Sequence, residues 1–182
     1  MNRTPLRLFV LALTAALAAL VFPSTAQAAP YCGITWGSLA KQAGNHAPAL
    51  AGTELTGARV GQQTCYDRLV LDVTGGTSVG SYYVRYVDHV RRDGSGAVVP
   101  LAGGAFLQIT VGVNNYVGGP SNSGTLANVS GFRTFRQVAG AGFFEGYTTE
   151  GLGVRARLPF RAFTLAGPGN TVRLVIDVAH AW

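Results

Sequence analysis

Cysteine is scarce in this sequence, lysine is almost absent, and charged residues of either sign are few. Two cysteines without a C-x-x-C spacing offer too few neighbouring ligands for a metal site. Charged residues make up 12 % of the chain and seldom cluster, and no basic tail or nucleic-acid motif occurs. The sequence therefore predicts no metal, no cofactor and no nucleic-acid partner.

Long apolar runs are also missing, except for one near the N-terminus. Arg3 and Arg7 precede Leu8–Phe22, which is too short to span a bilayer comfortably, and Ala26-Gln27-Ala28 follows as a small-x-small cleavage site. This order predicts a secretory signal peptide over residues 1–28, with an uncleaved anchor as the alternative. The residue directly after the cleavage site is alanine and not cysteine, so we expect an exported mature chain without lipid attachment or stable membrane insertion.

The two cysteines, Cys32 and Cys65, fit an oxidising compartment. An even number of cysteines in an exported chain predicts a disulfide, and two cysteines allow only one connectivity. The bond would close a loop of about 33 residues, which stabilises a fold by about 3–4 kcal/mol in the chain-entropy model.

The remaining chain has no sustained helical period, and glycine and proline punctuate many short runs of β-forming residues. This pattern predicts an all-β domain, a β-sandwich of short, mostly antiparallel strands or an open barrel. We expect an irregular leader over 29–52 with one helical turn at Ser38–Gln42, a sandwich domain over 53–182, and a long loop at Asn114–Val129. The expected strands are Leu55–Val60, Tyr66–Val73, Ser81–Val90, Val98–Leu101, Ala105–Val113, Phe132–Val138, Phe143–Thr149, Gly151–Arg157, Phe160–Leu165 and Val172–Val178.

One strand sequence occurs twice, as Arg68–Val73 and Arg173–Val178. Because strand side chains alternate sides, Arg and Asp share one face of each copy. They lie about 13 Å apart along their own strand, too far to pair directly. If the copies run antiparallel with Val70 opposite Val175, Arg68 faces Asp177 and Arg173 faces Asp72, and the aspartates form cross-strand ion pairs.

Two glycine motifs resemble catalytic or cofactor signatures, but their surroundings argue against that. Gly76–Gly80 matches the G-x-S-x-G pattern, yet a strand rather than a helix is expected to follow, so we predict a loop. Gly151–Ala156 matches a relaxed dinucleotide fingerprint, but Pro159 blocks the helix that this site needs. We predict a β-turn there.

Acid–base constellations are weakly indicated. Glu145 and Glu150 are close in sequence, but their odd separation places them on opposite faces if they share one strand. The three histidines, His46, His89 and His180, have no metal-ligand spacing, and no feature selects a Ser–His–Asp triad. We therefore predict no catalytic residue.

Surface candidates for binding are concentrated in Phe132–Tyr147. Arginine holds carboxylate or phosphate groups bidentately, and aromatic faces stack on sugars. Because large aromatic residues dominate cores, we expect Phe132, Phe135 and Phe143 to be buried. The ligand-binding candidates are Arg133, Arg136, Glu145 and Tyr147.

The order of several short motifs resembles a known family. The motifs are Cys32–Ser38, Cys65–Val70, Val84–Val87, Asp93–Gly96, Phe132–Phe135, Phe144–Gly146, Gly151–Arg155, Pro159–Phe163 and Arg173–Val178. Together they resemble the AMIN-like domain of exported actinobacterial proteins. The resemblance implies a β-sandwich related to AMIN domains, which accompany cell-wall amidases and envelope secretins and target them to peptidoglycan. No amidase domain is attached here, so the resemblance implies binding without catalysis.

Three functions remain open at this stage. The leading hypothesis is a secreted, non-catalytic module, free or associated with the cell wall, that binds peptidoglycan or another cell-envelope glycan. The alternatives are a protein–protein interaction module that binds another exported protein through sheet edges or loops, and a glycan hydrolase that uses carboxylates such as Glu145. The net charge of +6, which falls to +4 without Arg3 and Arg7, fits polyanionic envelope material and solubility equally well.

Overall fold

The computed structural model describes residues 31–45, 47–116 and 124–182. The predicted signal peptide, His46 and residues 117–123 of the predicted long loop lie outside this part of the chain. Among the described residues no helix is long and apolar enough to cross a membrane.

Every regular element in the described residues is a strand, as the absence of a helical period predicts. The strands are β1 Lys41–Ala43, β2 Glu54–Gln62, β3 Tyr66–Thr74, β4 Tyr82–Val87, β5 Ala105–Val111, β6 Asn114–Tyr116, β7 Thr125–Ala127, β8 Phe135–Phe144, β9 Tyr147–Val154, β10 Phe160–Ala166 and β11 Thr171–Ala179.

The strands form two sheets, and the predicted all-β sandwich is confirmed. One sheet has six strands in the order β1-β4-β5-β9-β8-β7, and the other has five in the order β10-β11-β3-β2-β6. All neighbouring strands are antiparallel except β2 and β6, which are parallel. We refer to them below as the six-stranded and the five-stranded sheet.

The two copies of the repeated sequence are β3 and β11, and they pair in the predicted register. Val70 lies opposite Val175, and Arg68 lies opposite Asp177. The last strand of the domain therefore pairs with β3 at the centre of the five-stranded sheet. Their inward side chains alternate with the outward Arg and Asp side chains, so the pattern that fixes the register also separates core from surface.

The core fills the space between the sheets and takes side chains from both. Leu69 and Leu71 on β3 pack in one cluster with Ile109 on β5 and Leu152 on β9. Of the three phenylalanines expected in the core, Phe135 is buried and Phe132 packs partly against it. The prediction is wrong for Phe143, which lies near the end of the β8–β9 hairpin and is 41 % exposed.

A second, smaller apolar cluster covers the outer face of the six-stranded sheet. Val90 and Val99, from the segment between β4 and β5, pack on Ala139 and Ala141 of β8. Residues 151–154 run through β9, so the strand expected over Gly151–Arg157 is confirmed as far as Val154 and the β-turn expected at Gly151–Ala156 is wrong. Gly153 is needed there because a side chain would clash with Ala102 O, 1.9 Å from its Cβ position. The small residues let this segment pack closely on the sheet.

The N-terminal leader is tied to the five-stranded sheet. Cys32 and Cys65 form the predicted disulfide, with their Cα atoms 6.3 Å apart. Gly37 O accepts a hydrogen bond of 2.9 Å from Phe160 N. The helical turn predicted at Ser38–Gln42 is wrong, because β1 pairs there with β4.

Two further sequence predictions need correction. Within Val98–Leu101, which was expected to be a strand, only Val98 forms a bridge, to Arg91 across the predicted Asp93-Gly94 turn. The loop expected at Asn114–Val129 contains β6 and β7. Both strands have only three residues, too few for a periodic signal in the sequence.

Candidate functional site

A surface pocket that combines carboxyl, hydroxyl and aromatic groups lies at the outer end of the β8–β9 hairpin, over the six-stranded sheet. It has a volume of about 260 Å³. We call it the hairpin pocket, and its lining residues are Asp93, Gly94, Thr110, Phe144, Glu145 and Tyr147. They come from the hairpin, from β5 and from the turn that follows β4.

The hairpin turn itself is strained. Glu145 and Gly146 both have positive φ, at 49° and 83°, the pattern of a type I′ turn. Glycine tolerates this conformation, but glutamate in the left-handed region costs about 1–2 kcal/mol. The strand expected over Phe143–Thr149 is therefore interrupted at Glu145. A non-glycine residue held in this conformation is a reason to suspect a functional role.

The turn places two aromatic side chains on one face. Phe144 and Tyr147 occupy directly opposite positions on β8 and β9, so their side chains project to the same side. Phe144 is 48 % exposed, and its ring packs on Gly94, whose Cβ position lies 3.4 Å from Phe144 Cδ2. Phe143 is the next residue of β8 and projects to the opposite face.

Asp93 gives the pocket its polar floor. The Thr149 hydroxyl hydrogen-bonds to the Asp93 carboxyl, and Thr110 Oγ1 lies 3.1 Å from Thr149 Oγ1. Asp93 Oδ2 is buried and has no hydrogen-bond partner among the described residues. Burial raises the pKa of Asp93, and the Thr149 hydroxyl lowers it by a smaller amount. An unpaired, desolvated acceptor beside an exposed and a half-buried aromatic ring suits a neutral, hydroxyl-rich or amide-rich ligand.

A second polar cluster lies on the outer face of the five-stranded sheet, but its groups satisfy one another. The Asp177 carboxylate is fully buried and accepts hydrogen bonds from Arg68 and Arg161 at 2.6–2.9 Å. The Arg161 guanidinium also lies over three rings, 5.4 Å from Trp36, 5.3 Å from Tyr66 and 5.0 Å from Phe163. This arrangement stabilises the fold and leaves no acceptor of Asp177 for a ligand.

A buried histidine–aspartate pair connects the end of β11 to the disulfide loop. His180 Nε2 lies 2.9 Å from Asp67 Oδ1, and His180 Nδ1 lies 3.2 Å from Thr64 O. The other carboxylate oxygen, Asp67 Oδ2, accepts the N–H groups of Thr134 and Phe135 at 2.6 and 3.0 Å. Both ring nitrogens of His180 are occupied, so none is left to activate a nucleophile. The His180–Asp67 pair holds the end of β11 against the disulfide loop, and we call it the latch.

The structure separates the four candidates from the sequence into two places. Arg133 and Arg136 lie at the start of β8, whereas Glu145 and Tyr147 lie in the hairpin pocket at its other end. Glu145 follows Arg136 by nine positions, which corresponds to about 30 Å along a strand. The expected grouping of arginine with aromatic residues in one site is therefore not what the fold produces.

The two arginines contact the backbone near their own positions. Arg136 Nη1 donates to Phe132 O at 3.1 Å and to Phe135 O at 2.8 Å, while lining an open groove of about 550 Å³. Arg133 Nη1 donates to Thr64 O at 3.5 Å. These bonds hold the loop before β8 and leave the hairpin pocket as the better candidate site.

Sequence reasoning missed Asp93 and Thr110 in the pocket, and Asp67 in the latch. Asp67 could have been found, because it shares its parity in β3 with the buried Leu69 and Leu71. An aspartate on the core face of a strand must find buried partners. Asp93 gave no such signal, since Asp-Gly is expected in any turn.

The comparisons with known proteins agree with this architecture. The fold is a two-layer β-sandwich module with a small aromatic and polar pocket. A family model for the AMIN-like domain matches residues 53–180. The chain therefore belongs to the AMIN-like domain family, which points to a binding or interaction module of the cell envelope. No curated protein and no solved structure matches the chain significantly.

Proposed function

We propose that the mature chain is a secreted, non-catalytic module that binds peptidoglycan or another cell-envelope glycan through the hairpin pocket. The observation that carries the proposal is the juxtaposition of the Phe144 and Tyr147 rings with an unpartnered acceptor, Asp93 Oδ2. Sugars present both an apolar C–H face and hydrogen-bonding groups, which is the pair of features that this pocket recognises.

In the proposed complex one sugar ring lies against Phe144 and donates a hydroxyl or acetamido N–H group to Asp93. Thr110 and Glu145 offer further polar contacts at the rim. A pocket of about 260 Å³ takes a single ring, and the rest of the polymer runs over the open surface. Recognition therefore depends little on net charge, unlike binding of a cationic protein to an anionic polymer.

The compartment fits this partner. The order of charged, apolar and small residues over 1–28 supports export, and the Cys32–Cys65 disulfide is compatible with an oxidising environment. Family membership adds the cell envelope as the setting. Non-covalent binding to the wall would then keep the secreted module near it.

Retention on purified cell-wall sacculi tests the proposal. The mature chain should sediment with sacculi over a wide range of salt concentrations. Loss of retention at modest salt would indicate nonspecific electrostatic binding, and no retention at any salt would refute glycan binding.

A matched pair of variants tests the pocket itself. Phe144→Ala should weaken retention about tenfold, because it removes the stacking surface, worth about 1.4 kcal/mol. Phe143→Ala removes a ring of similar exposure from the opposite face of the same strand and should bind like the wild type. Equal losses in both variants would place the ligand elsewhere.

A glycan hydrolase is the second candidate, because Asp93 and Glu145 line one pocket and burial raises the pKa of Asp93. An acid with a raised pKa beside a second carboxylate is the combination that glycoside hydrolysis needs. This activity would be established if the protein released soluble muropeptides from sacculi and if Asp93→Asn and Glu145→Gln each abolished the release. We expect binding without release.

A further inference from the structure

We propose that the free edge of β10 is a docking strand for an extended, acidic segment of another exported protein. This site lies on the five-stranded sheet and is separate from the hairpin pocket. Three observations support this docking strand: unpaired backbone groups along β10, an exposed apolar side chain on that edge, and an arginine on the neighbouring strand that makes no ion pair with the described residues.

The backbone of β10 has hydrogen-bonding groups that no described residue uses. Phe160 N bonds to Gly37 O and Ala162 O accepts from Tyr82 Oη, so the even-numbered residues point away from β11. Gly167 N bonds to Thr171 O, which confirms that the odd-numbered residues face β11. Thr164 N–H and C=O therefore point outward, and residues 164–166 are all exposed.

The other sheet edges offer much less. β1, β6 and β7 each have three residues, whereas β10 has seven. Short edge strands protect a sheet against pairing with other chains, as do charges or proline on the edge. The exposed half of β10 reads Thr164-Leu165-Ala166 and has neither charge nor proline. This edge is therefore the one open to strand addition.

The side chains beside the edge select the partner's chemistry. Leu165 is 42 % exposed and lies opposite Arg173 of β11. Asp72 lies opposite Arg173 on its other side, but Arg59 binds Asp72 bidentately, at 2.5 and 2.7 Å. Arg173 consequently makes no ion pair or hydrogen bond with the described residues. An added strand would lie about 10 Å from β11, within the combined reach of an arginine side chain at position 173 and a glutamate side chain of the partner.

Charge distinguishes an acidic partner from a second copy of this chain. Arg68 and Arg161 on the same face both form an ion pair with Asp177, whereas Arg173 forms none among the described residues. Pairing β10 with β10 of a second copy would add a second Arg173 to the face, and the aspartates Asp72 and Asp177 of that copy are already paired. An acidic residue on an extended partner segment supplies the missing counter-charge.

A peptide array tests the inference directly. Peptides of about eight residues, a length typical of strands, alternate Val with Glu, Lys or Ser. Fluorescence anisotropy measures their binding to the mature chain. We expect the Glu peptides to bind at least about tenfold more tightly than the Lys peptides, and Arg173→Glu to reverse this preference. Equal binding of the three sets, or no binding of any, overturns the proposal.

A second pair of variants tests the edge hydrogen bonds. Thr164→Pro removes the outward N–H without touching the β10–β11 ladder and should lose peptide binding about tenfold or more. Thr164→Ala keeps the N–H and should bind like the wild type. Both should still bind sacculi, which shows that they fold and separates this proposal from the glycan pocket. Peptide binding unaffected by Thr164→Pro, or a dimer that forms through β10 and excludes the peptide, overturns it.

Discussion

The two sheets differ in whether the buried oxygens of their carboxyl groups have hydrogen-bond partners. On the five-stranded sheet, Asp67 and Asp177 are fully buried, and arginine, histidine or backbone N–H groups bind both oxygens of each. At the six-stranded sheet, Asp93 on the outer side and Glu150 on the inner side each have a buried oxygen without a partner. These are the only such side-chain atoms among the described residues.

The difference separates carboxyl groups that stabilise the fold from one that lies in the proposed glycan pocket. Satisfied carboxylates on β3 and β11 fix the register of the central strand pair and the position of the chain end. Unsatisfied acceptors cost free energy in the unbound protein, and a ligand can remove that cost at Asp93. Glu150 faces the closed core, so its cost stays within the fold.

The largest expected effect is the pH dependence caused by Glu150. Burial raises the pKa of Glu150 to about 8 from 4.5. Between those pH values the folded state keeps a proton that the unfolded state has lost. The contribution of Glu150 to stability is therefore fully present below pH 4.5 and is lost as the pH rises to about 8, a change of about 5 kcal/mol. Urea unfolding at several pH values should show this fall in the wild type and a much smaller one in Glu150→Gln.

The next effect concerns the paired acids. Asp177→Asn should lower the free energy of unfolding by about 3 kcal/mol, because it removes the counter-charge of two arginines at a buried site. Asp72→Asn breaks the more exposed pair with Arg59 and should cost less than about 1 kcal/mol. Urea denaturation of both variants measures the difference. Equal losses would show that burial of Asp177 does not matter.

A smaller effect separates two arginines on the same face. Arg161 contacts Asp177 and three aromatic rings, whereas Arg173 has no partner in the described residues. Arg161→Ala should destabilise the domain by about 1–2 kcal/mol, and Arg173→Ala by less than about 0.5 kcal/mol. Thermal unfolding of the two variants gives the comparison. A larger loss in Arg173→Ala would contradict the assignment of Arg173 to partner binding.

The smallest expected effect concerns Glu145 in the turn of the hairpin pocket. Glu145→Asn should stabilise the domain by about 0.5–1 kcal/mol, because asparagine tolerates the left-handed conformation of the turn. The same substitution should reduce retention on sacculi by removing a polar contact at the rim. A variant that is more stable and binds less would show that strain at Glu145 serves binding. Unchanged retention would make the turn purely structural.

More of the five-stranded sheet than of the six-stranded sheet could be predicted from the sequence. Strict alternation in the two repeated strands was enough to predict that Arg68 faces Asp177, since a one-residue shift would expose the core. The predicted ion pair between Arg173 and Asp72 is wrong, because Arg59 of the neighbouring strand binds Asp72 instead. Local pattern determines register, but the choice between two nearby arginines depends on side-chain geometry.

The hairpin pocket depended on features that local patterns do not encode. The turn at Glu145-Gly146 looked like strand interior, since glutamate seldom adopts positive φ. Gly151 and Gly153 looked like turn residues, although they lie in β9 under the segment that carries Asp93. Because that packing is long-range, no motif in the sequence could bring Asp93 beside Phe144.

The most direct test of glycan binding is a titration of the isotope-labelled mature chain with soluble peptidoglycan fragments, followed by NMR. If the hairpin pocket binds the glycan, we expect the largest changes in amide chemical shift at Gly94, Thr110 and Tyr147, with little dependence on salt. Shifts that centre instead on Arg161 and Arg173, and that vanish as salt is added, would contradict it.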